Sequence, residues 1–180
     1  MALSIGDSVP DFNLKNANYS KVGEFVNLQQ SMKENGLIIM FECNHCPYVV
    51  GSIDRINLVA EKAESLEIGF IGINSNDSIT YSSDSFENMT KRAVKGMPYP
   101  YLFDETQQVA KSFGAKRTPE FYLFDGKGDL VYSGRMDDSP KDPNQVKSTE
   151  LSNAIDSIID GRKPDVQETE SIGCSVKWKV

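Results

Sequence analysis

Two short apolar runs with no polar interruption, Gly36 to Phe41 and Ile68 to Ile73, predict strands buried on both faces. Between them Val49, Ile53, Ile56, Ala60 and Ala63 recur at spacings of three and four behind Pro47, the pattern of one amphipathic helix. Strand, long helix and strand in that order predict a right-handed parallel crossover. A polar loop from Asn74 to Ser83 follows, at the strand end where ligands gather in open parallel sheets. Phe86, Met89, Ala93 and Val94 predict a helix opened by a capping box from Asp84 to Glu87. Val109, Ala110 and Phe113 predict another, capped by Asp104 to Gln107 and stopped by Gly114, with Tyr101 to Phe103 as a short extended segment between them. The alternating stretches on either side of Gly126 to Gly128 read as a hairpin. Leu151, Ala154, Ile155 and Ile158 mark a last helix, capped by Ser148 or Thr149 and ended by Gly161 and Pro164. At the front, Ile5 to Leu14 is a turn and a short strand, and Phe25 to Leu28 is a small strand leading to a short helix closed by Gly36.

The chemistry is concentrated where the first buried strand meets its helix, at Cys43, Asn44, His45, Cys46 and Pro47. Two cysteines at a helix start face unpaired backbone N–H groups and the positive end of the helix dipole, which favour a thiolate. His45, inside the loop, is expected to stabilise a thiolate further, while Glu42 opposes it. The first cysteine of such a loop is expected at the exposed edge, so Cys43 is read as the attacking thiol and Cys46 as the resolving one. A pair of inert structural thiols is the plain alternative. A metal site built from Cys43, His45, Cys46 and Cys174 lacks the second close ligand pair that zinc requires, so neither metal nor cofactor is expected. Cys174 lies in the tail Ser171 to Val180, where Gly173 and Trp178 suggest docking onto the body; it is either an incidental thiol or a third, resolving one.

Composition narrows the partners. The chain has 180 residues, 39% hydrophobic and 25% charged, which suits one domain with a full core. Its net charge of -7 argues against nucleic acid and against anionic membranes. Three cysteines with no leader-like opening point to a reducing compartment, the cytoplasm. The expected division is a domain over 1–162 and a docking tail over 163–180.

The segments around Gly6 to Leu14, Phe41 to Val49, Gly72 to Asp77, Gly96 to Leu102, Thr118 to Asp125, Gly134 to Ser139 and Ile172 to Lys179 together resemble the peroxiredoxin-like, thioredoxin-family members of the redoxin superfamily. That resemblance implies an α/β thioredoxin fold, three layers around a central mixed sheet with helices on both faces. To this it adds a redoxin-type N-terminal extension and a C-terminal tail. It implies a thiol–disulfide oxidoreductase, or alternatively a peroxiredoxin-like thiol peroxidase with Cys46 peroxidatic and Cys43 or Cys174 resolving; a redox sensor or metal-holding module is the non-catalytic alternative. The implied partners are a disulfide or hydroperoxide substrate and a dithiol electron donor. Thr118 and Pro119 stand where the fold places a cis-proline facing the cysteines. The chain departs from the peroxiredoxin pattern at Ile39 and Cys43, where that pattern has a proline and a hydroxyl, and from thioredoxin at Leu37, where a buried aspartate would stand. Arg117, next to Thr118, offers a cation to a nearby thiolate.

Overall fold

The computed structural model describes residues 2–180. The first buried run forms strand β3 (Gly36–Phe41) and the second forms β4 (Ile68–Asn74), each with no exposed residue. Alternate side chains of β3 enter two cores. Ile38 and Met40 join Phe70, Phe121, Leu123, Leu151 and Ile155 on one side, and Leu37, Ile39 and Phe41 join Ile71, Phe113, Tyr122 and Phe124 on the other.

Strands β1 (Asn13–Asn16) and β2 (Phe25–Asn27) pair antiparallel, β1 also pairs antiparallel with β5 (Tyr101–Phe103), and β5 runs parallel to β4. On the other flank β3 pairs antiparallel with β7 (Glu120–Asp125), which forms the expected hairpin with β8 (Leu130–Gly134). Just past the end of β3 the Glu42 N–H donates to the Ile73 carbonyl at 2.9 Å, joining the two halves into a mixed sheet.

The helix after the cysteines is divided. Helix α2 (Pro47–Val50) and helix α3 (Ile53–Ser65) are separated at Gly51 and Ser52, where the sequence pattern predicts one continuous helix. A Cβ on Gly51 would lie 3.1 Å from the Pro140 carbonyl oxygen, so the loop at Pro140 and Lys141 packs directly against the break. With α6 (Glu150–Ile159) these helices cover the first core. The second core is covered by α5 (Gln108–Phe113), with Leu28 from α1 (Leu28–Ser31) beside it.

One expected cap is replaced. Helix α4 (Phe86–Ala93) is capped by Ser85, whose side chain accepts from the Asn88 N–H, because Asp84 is buried and used elsewhere. Asp104 caps α5 as expected, accepting from the Val109 and Ala110 N–H groups, and it also accepts from Ser75, which ties the helix to the β4 loop. Thr149 takes the N-cap position of α6 but gives no side-chain cap bond.

The chain ends as a strap. Glu168 bridges Ser133, and the Thr169 hydroxyl accepts from the Arg135 N–H at 2.9 Å. Strand β9 (Cys174–Ser175) pairs antiparallel with β6 (Arg117–Thr118), with Thr118 opposite Cys174. Lys177 then exchanges bonds with Asn76, Asp77 and Gln107. Gly173 permits this docking, since a Cβ there would lie 2.0 Å from the Thr118 carbonyl oxygen.

Candidate functional site: three thiols around Thr118

Cys43 follows the end of β3, and Cys46 is the N-cap of α2 with Pro47 in the first turn. Both face Thr118, whose bond to Pro119 is cis. The Cys43 sulfur lies 3.5 Å from the Thr118 hydroxyl, and the Cys46 S–H donates to the Thr118 carbonyl at 3.2 Å. Cys174, opposite Thr118 on the strap, packs against the same core cluster. Thus five of the six sequence-assigned residues, Cys43, Cys46, Thr118, Pro119 and Cys174, come together.

The sixth does not. His45 is exposed and makes no hydrogen bond to either sulfur among the described residues, because the loop turns its side chain to solvent. Glu42 does not oppose a thiolate at the pair as expected, because it turns away to bind Arg92 and Tyr99. Arg117 reaches the Ser171 carbonyl and Glu170 on the strap, so its cation serves the tail and not the cysteines.

Exposure does not distinguish the pair. Cys43 and Cys46 are each 4% exposed, against the expectation of an open Cys43. Electrostatics separates them. The neighbouring Cys43 thiol is the largest influence holding Cys46 below the ordinary thiol range, with Cys174 and the Tyr48 N–H adding to it against burial. The Thr118 carbonyl works in the other direction by accepting the Cys46 proton, one acceptor against several donors. Cys43 is pushed up, first by the neighbouring Cys46 sulfur and then by burial and the nearby Asp84 charge. Cys174 is pushed up by burial and by holding its proton toward Cys46. The helix start adds to this: Cys46 is the N-cap of α2, where the positive end of the helix dipole favours a thiolate.

Beneath the loop lies a polar scaffold that sequence reasoning missed. Glu42 is fully buried, with the Arg92 guanidinium 2.6 Å from one oxygen and the Tyr99 hydroxyl donating to the other at 2.8 Å. Arg92 also donates to the Cys43 carbonyl and to the Tyr101 hydroxyl, and Tyr101 donates to Asn44 at 2.7 Å. Asp84 accepts from the Asn44 N–H and from the Asn74 and Asn76 amides. The polar groups at the start of the Asn74 to Ser83 loop are thereby used to fix the cysteine loop and the strap. Burial pushes the Glu42 carboxyl up against the pull of Arg92, and burial keeps Tyr99 and Tyr101 protonated as donors. Gly72 makes room for this scaffold, since a Cβ there would lie 2.0 Å from a Glu42 oxygen.

The redoxin family profile matches residues 4–150. The chain belongs to the redoxin family. It is similar to an uncharacterized conserved protein from Geobacillus kaustophilus, 40% identical over 98% of this chain and 93% of that one, with a TM-score of 0.90. A hypothetical protein from Sinorhizobium meliloti 1021 is 30% identical over 100% and 97% of the two chains, with a TM-score of 0.89. Peroxidoxin BcpB from Mycobacterium tuberculosis shares the fold at 20% identity, a TM-score of 0.58 and coverage of 73% and 84%. Among proteins of curated function, none matches the chain. This redoxin has the mixed α/β thioredoxin fold, and thiol redox chemistry is what its family supports. Among the described residues no group of three or more His, Cys, Asp or Glu is placed to hold a metal ion, and no helix is long and apolar enough to cross a membrane.

Proposed function

We propose that this redoxin is a cytoplasmic thiol–disulfide oxidoreductase working through Cys43 and Cys46. The observation that carries the reading is the convergence of both sulfurs on Thr118 at the start of α2, Cys43 3.5 Å from its hydroxyl and Cys46 3.2 Å from its carbonyl, with Cys46 held below the ordinary thiol range and Cys43 pushed above it. The roles are the reverse of those expected from the sequence. The Cys46 thiolate attacks a substrate disulfide, one substrate sulfur leaves as a thiol, and a mixed disulfide forms at Cys46. Cys43 then gives up its proton and attacks the Cys46 sulfur, which releases the second substrate thiol and leaves a Cys43–Cys46 disulfide. Because both sulfurs are nearly buried, the substrate reaches them when residues 172–176 of the strap are displaced. The -7 charge favours a protein or small-molecule disulfide over any nucleic acid.

The test is reduction of insulin driven by dithiothreitol, with variants trapped and mapped. Cys43→Ser should hold a mixed disulfide on Cys46, and Cys46→Ser should abolish turnover. Trapping on Cys43 alone would restore the order read from sequence, and no trapping in either variant would end the proposal. The thiol peroxidase reading has the same Cys46 thiolate in its favour: attack on a hydroperoxide gives a Cys46 sulfenic acid and an alcohol, and a neighbouring thiol condenses with loss of water. Ile39 and Cys43, in place of a proline and a hydroxyl, weigh against it. Peroxide consumption with sulfenic acid at Cys46 would decide for it.

A further inference from the structure

We infer that Cys174 is a third reacting thiol, through which an outside dithiol re-reduces the buried pair while the strap stays docked. The inference rests on the proposed Cys43–Cys46 cycle and adds how that cycle is reset. Four observations carry it. The β6–β9 register sets Cys174 opposite Thr118, the residue whose hydroxyl and carbonyl hold the other two sulfurs. Gly173 lets the strap lie directly against the site, because a Cβ there would be 2.0 Å from the Thr118 carbonyl oxygen. The strap is fastened on both sides, by the Ser171 hydroxyl donating to Glu120 at 2.7 Å and by Lys177 on Asn76 and Asp77. Finally, Cys174 is only partly buried, whereas Cys43 and Cys46 are each 4% exposed. With the strap closed, Cys174 is the sulfur an outside reagent meets first.

The exchange balances without any added oxidant. After turnover the pair is a disulfide; Cys174 loses its proton to water and attacks the Cys46 sulfur. A Cys46–Cys174 bond forms, the Cys43–Cys46 bond breaks, and Cys43 leaves with the electron pair and takes up a proton. A thiolate of the outside dithiol then attacks the Cys174 sulfur and Cys46 leaves. Its departure is favoured, because leaving thiols of low pKa depart fastest and Cys46 is the one held below the ordinary range. The second thiol of the dithiol closes on the mixed disulfide and frees Cys174. Two electrons and two protons have passed inward, and the dithiol has become a disulfide.

The full chain, reduced and then treated with a stoichiometric amount of oxidised glutathione, is quenched in acid, alkylated with N-ethylmaleimide and peptide-mapped. A share of molecules with the label on Cys43 and a Cys46–Cys174 bond is the expected result; label on Cys174 alone overturns the inference. Oxidised Cys174→Ser should be reduced by dithiothreitol about tenfold more slowly than the oxidised wild type. A merely structural Cys174 predicts the opposite, since a loosened strap uncovers the pair and speeds reduction, and an unchanged or faster rate overturns the inference. If Cys174→Ser still forms the Cys43–Cys46 disulfide and turns over at the wild-type rate, only the relay falls. If that disulfide forms in neither protein, the proposed function falls with it.

Discussion

Replacing Arg92 with methionine removes the cation beneath the cysteine loop while keeping a long apolar side chain. The guanidinium lies 2.6 Å from Glu42 and donates to the Cys43 carbonyl and the Tyr101 hydroxyl, each at 3.2 Å. Without it Glu42, 0% exposed, keeps only the Tyr99 hydroxyl. Breaking a buried pair and stranding its partner charge costs about 3–5 kcal/mol. With a urea dependence of about 2 kcal/mol per molar, the unfolding midpoint should fall by about 1.5–2.5 M. The sign with pH follows from Glu42. Its folded-state pKa is already raised by burial, and losing Arg92 raises it further. Below that raised value the folded variant holds a neutral carboxyl. As pH rises through it, the variant must bury an unpaired charge and loses stability, so the deficit should be larger at pH 8 than at pH 5. Adding Glu42→Gln removes the charge and should recover about 2 kcal/mol. A single variant within about 1 kcal/mol of wild type, or a double variant no more stable than the single, would refute the reasoning.

The Cys46 thiolate should persist below the ordinary thiol pKa of about 8.5, and Cys43→Ala should shift its iodoacetamide transition to higher pH by removing the neighbouring thiol that lowers it. An unmoved transition would show that Cys43 does not tune it. Gly173→Ala, whose Cβ would meet the Thr118 carbonyl at 2.0 Å, should release the strap, raising the alkylation rate of Cys46 and exposing residues 163–180 to trypsin. Unchanged rates would mean the strap gives way cheaply. Gly72→Ala, whose Cβ would lie 2.0 Å from Glu42 and 2.9 Å from Tyr99, should cost about 1–3 kcal/mol by thermal unfolding, and an unchanged melting point would show the scaffold to be slack.

The elements that the sequence marks clearly are those whose signal is local. The unbroken apolar runs of β3 and β4, the Gly126 to Gly128 turn and the apolar stripe of α6 all depend on neighbours within a few residues. The cysteine pair and Thr118–Pro119 were legible because their order along a known fold places them together. Asp84 misled for the same reason in reverse: it sits where a capping box would have it, but amides 8 to 40 residues away offered a better use for the carboxylate. His45 has a useful chemistry and an unhelpful direction, which only the loop geometry shows. The Glu42–Arg92 pair spans β3 and α4 and has no periodic signature, so nothing short of the fold reveals that the two charges meet.

The most direct test of the central claim is a redox titration of the full chain in glutathione buffers, with acid quenching, alkylation and peptide mapping at each potential. The account predicts one two-electron transition in which Cys46 loses its alkylation site at every molecule oxidised, joined to Cys43 or, after exchange, to Cys174. Persistence of Cys46 as a free thiol across the range, or its appearance only as a glutathione adduct with Cys43 and Cys174 still free, would contradict it.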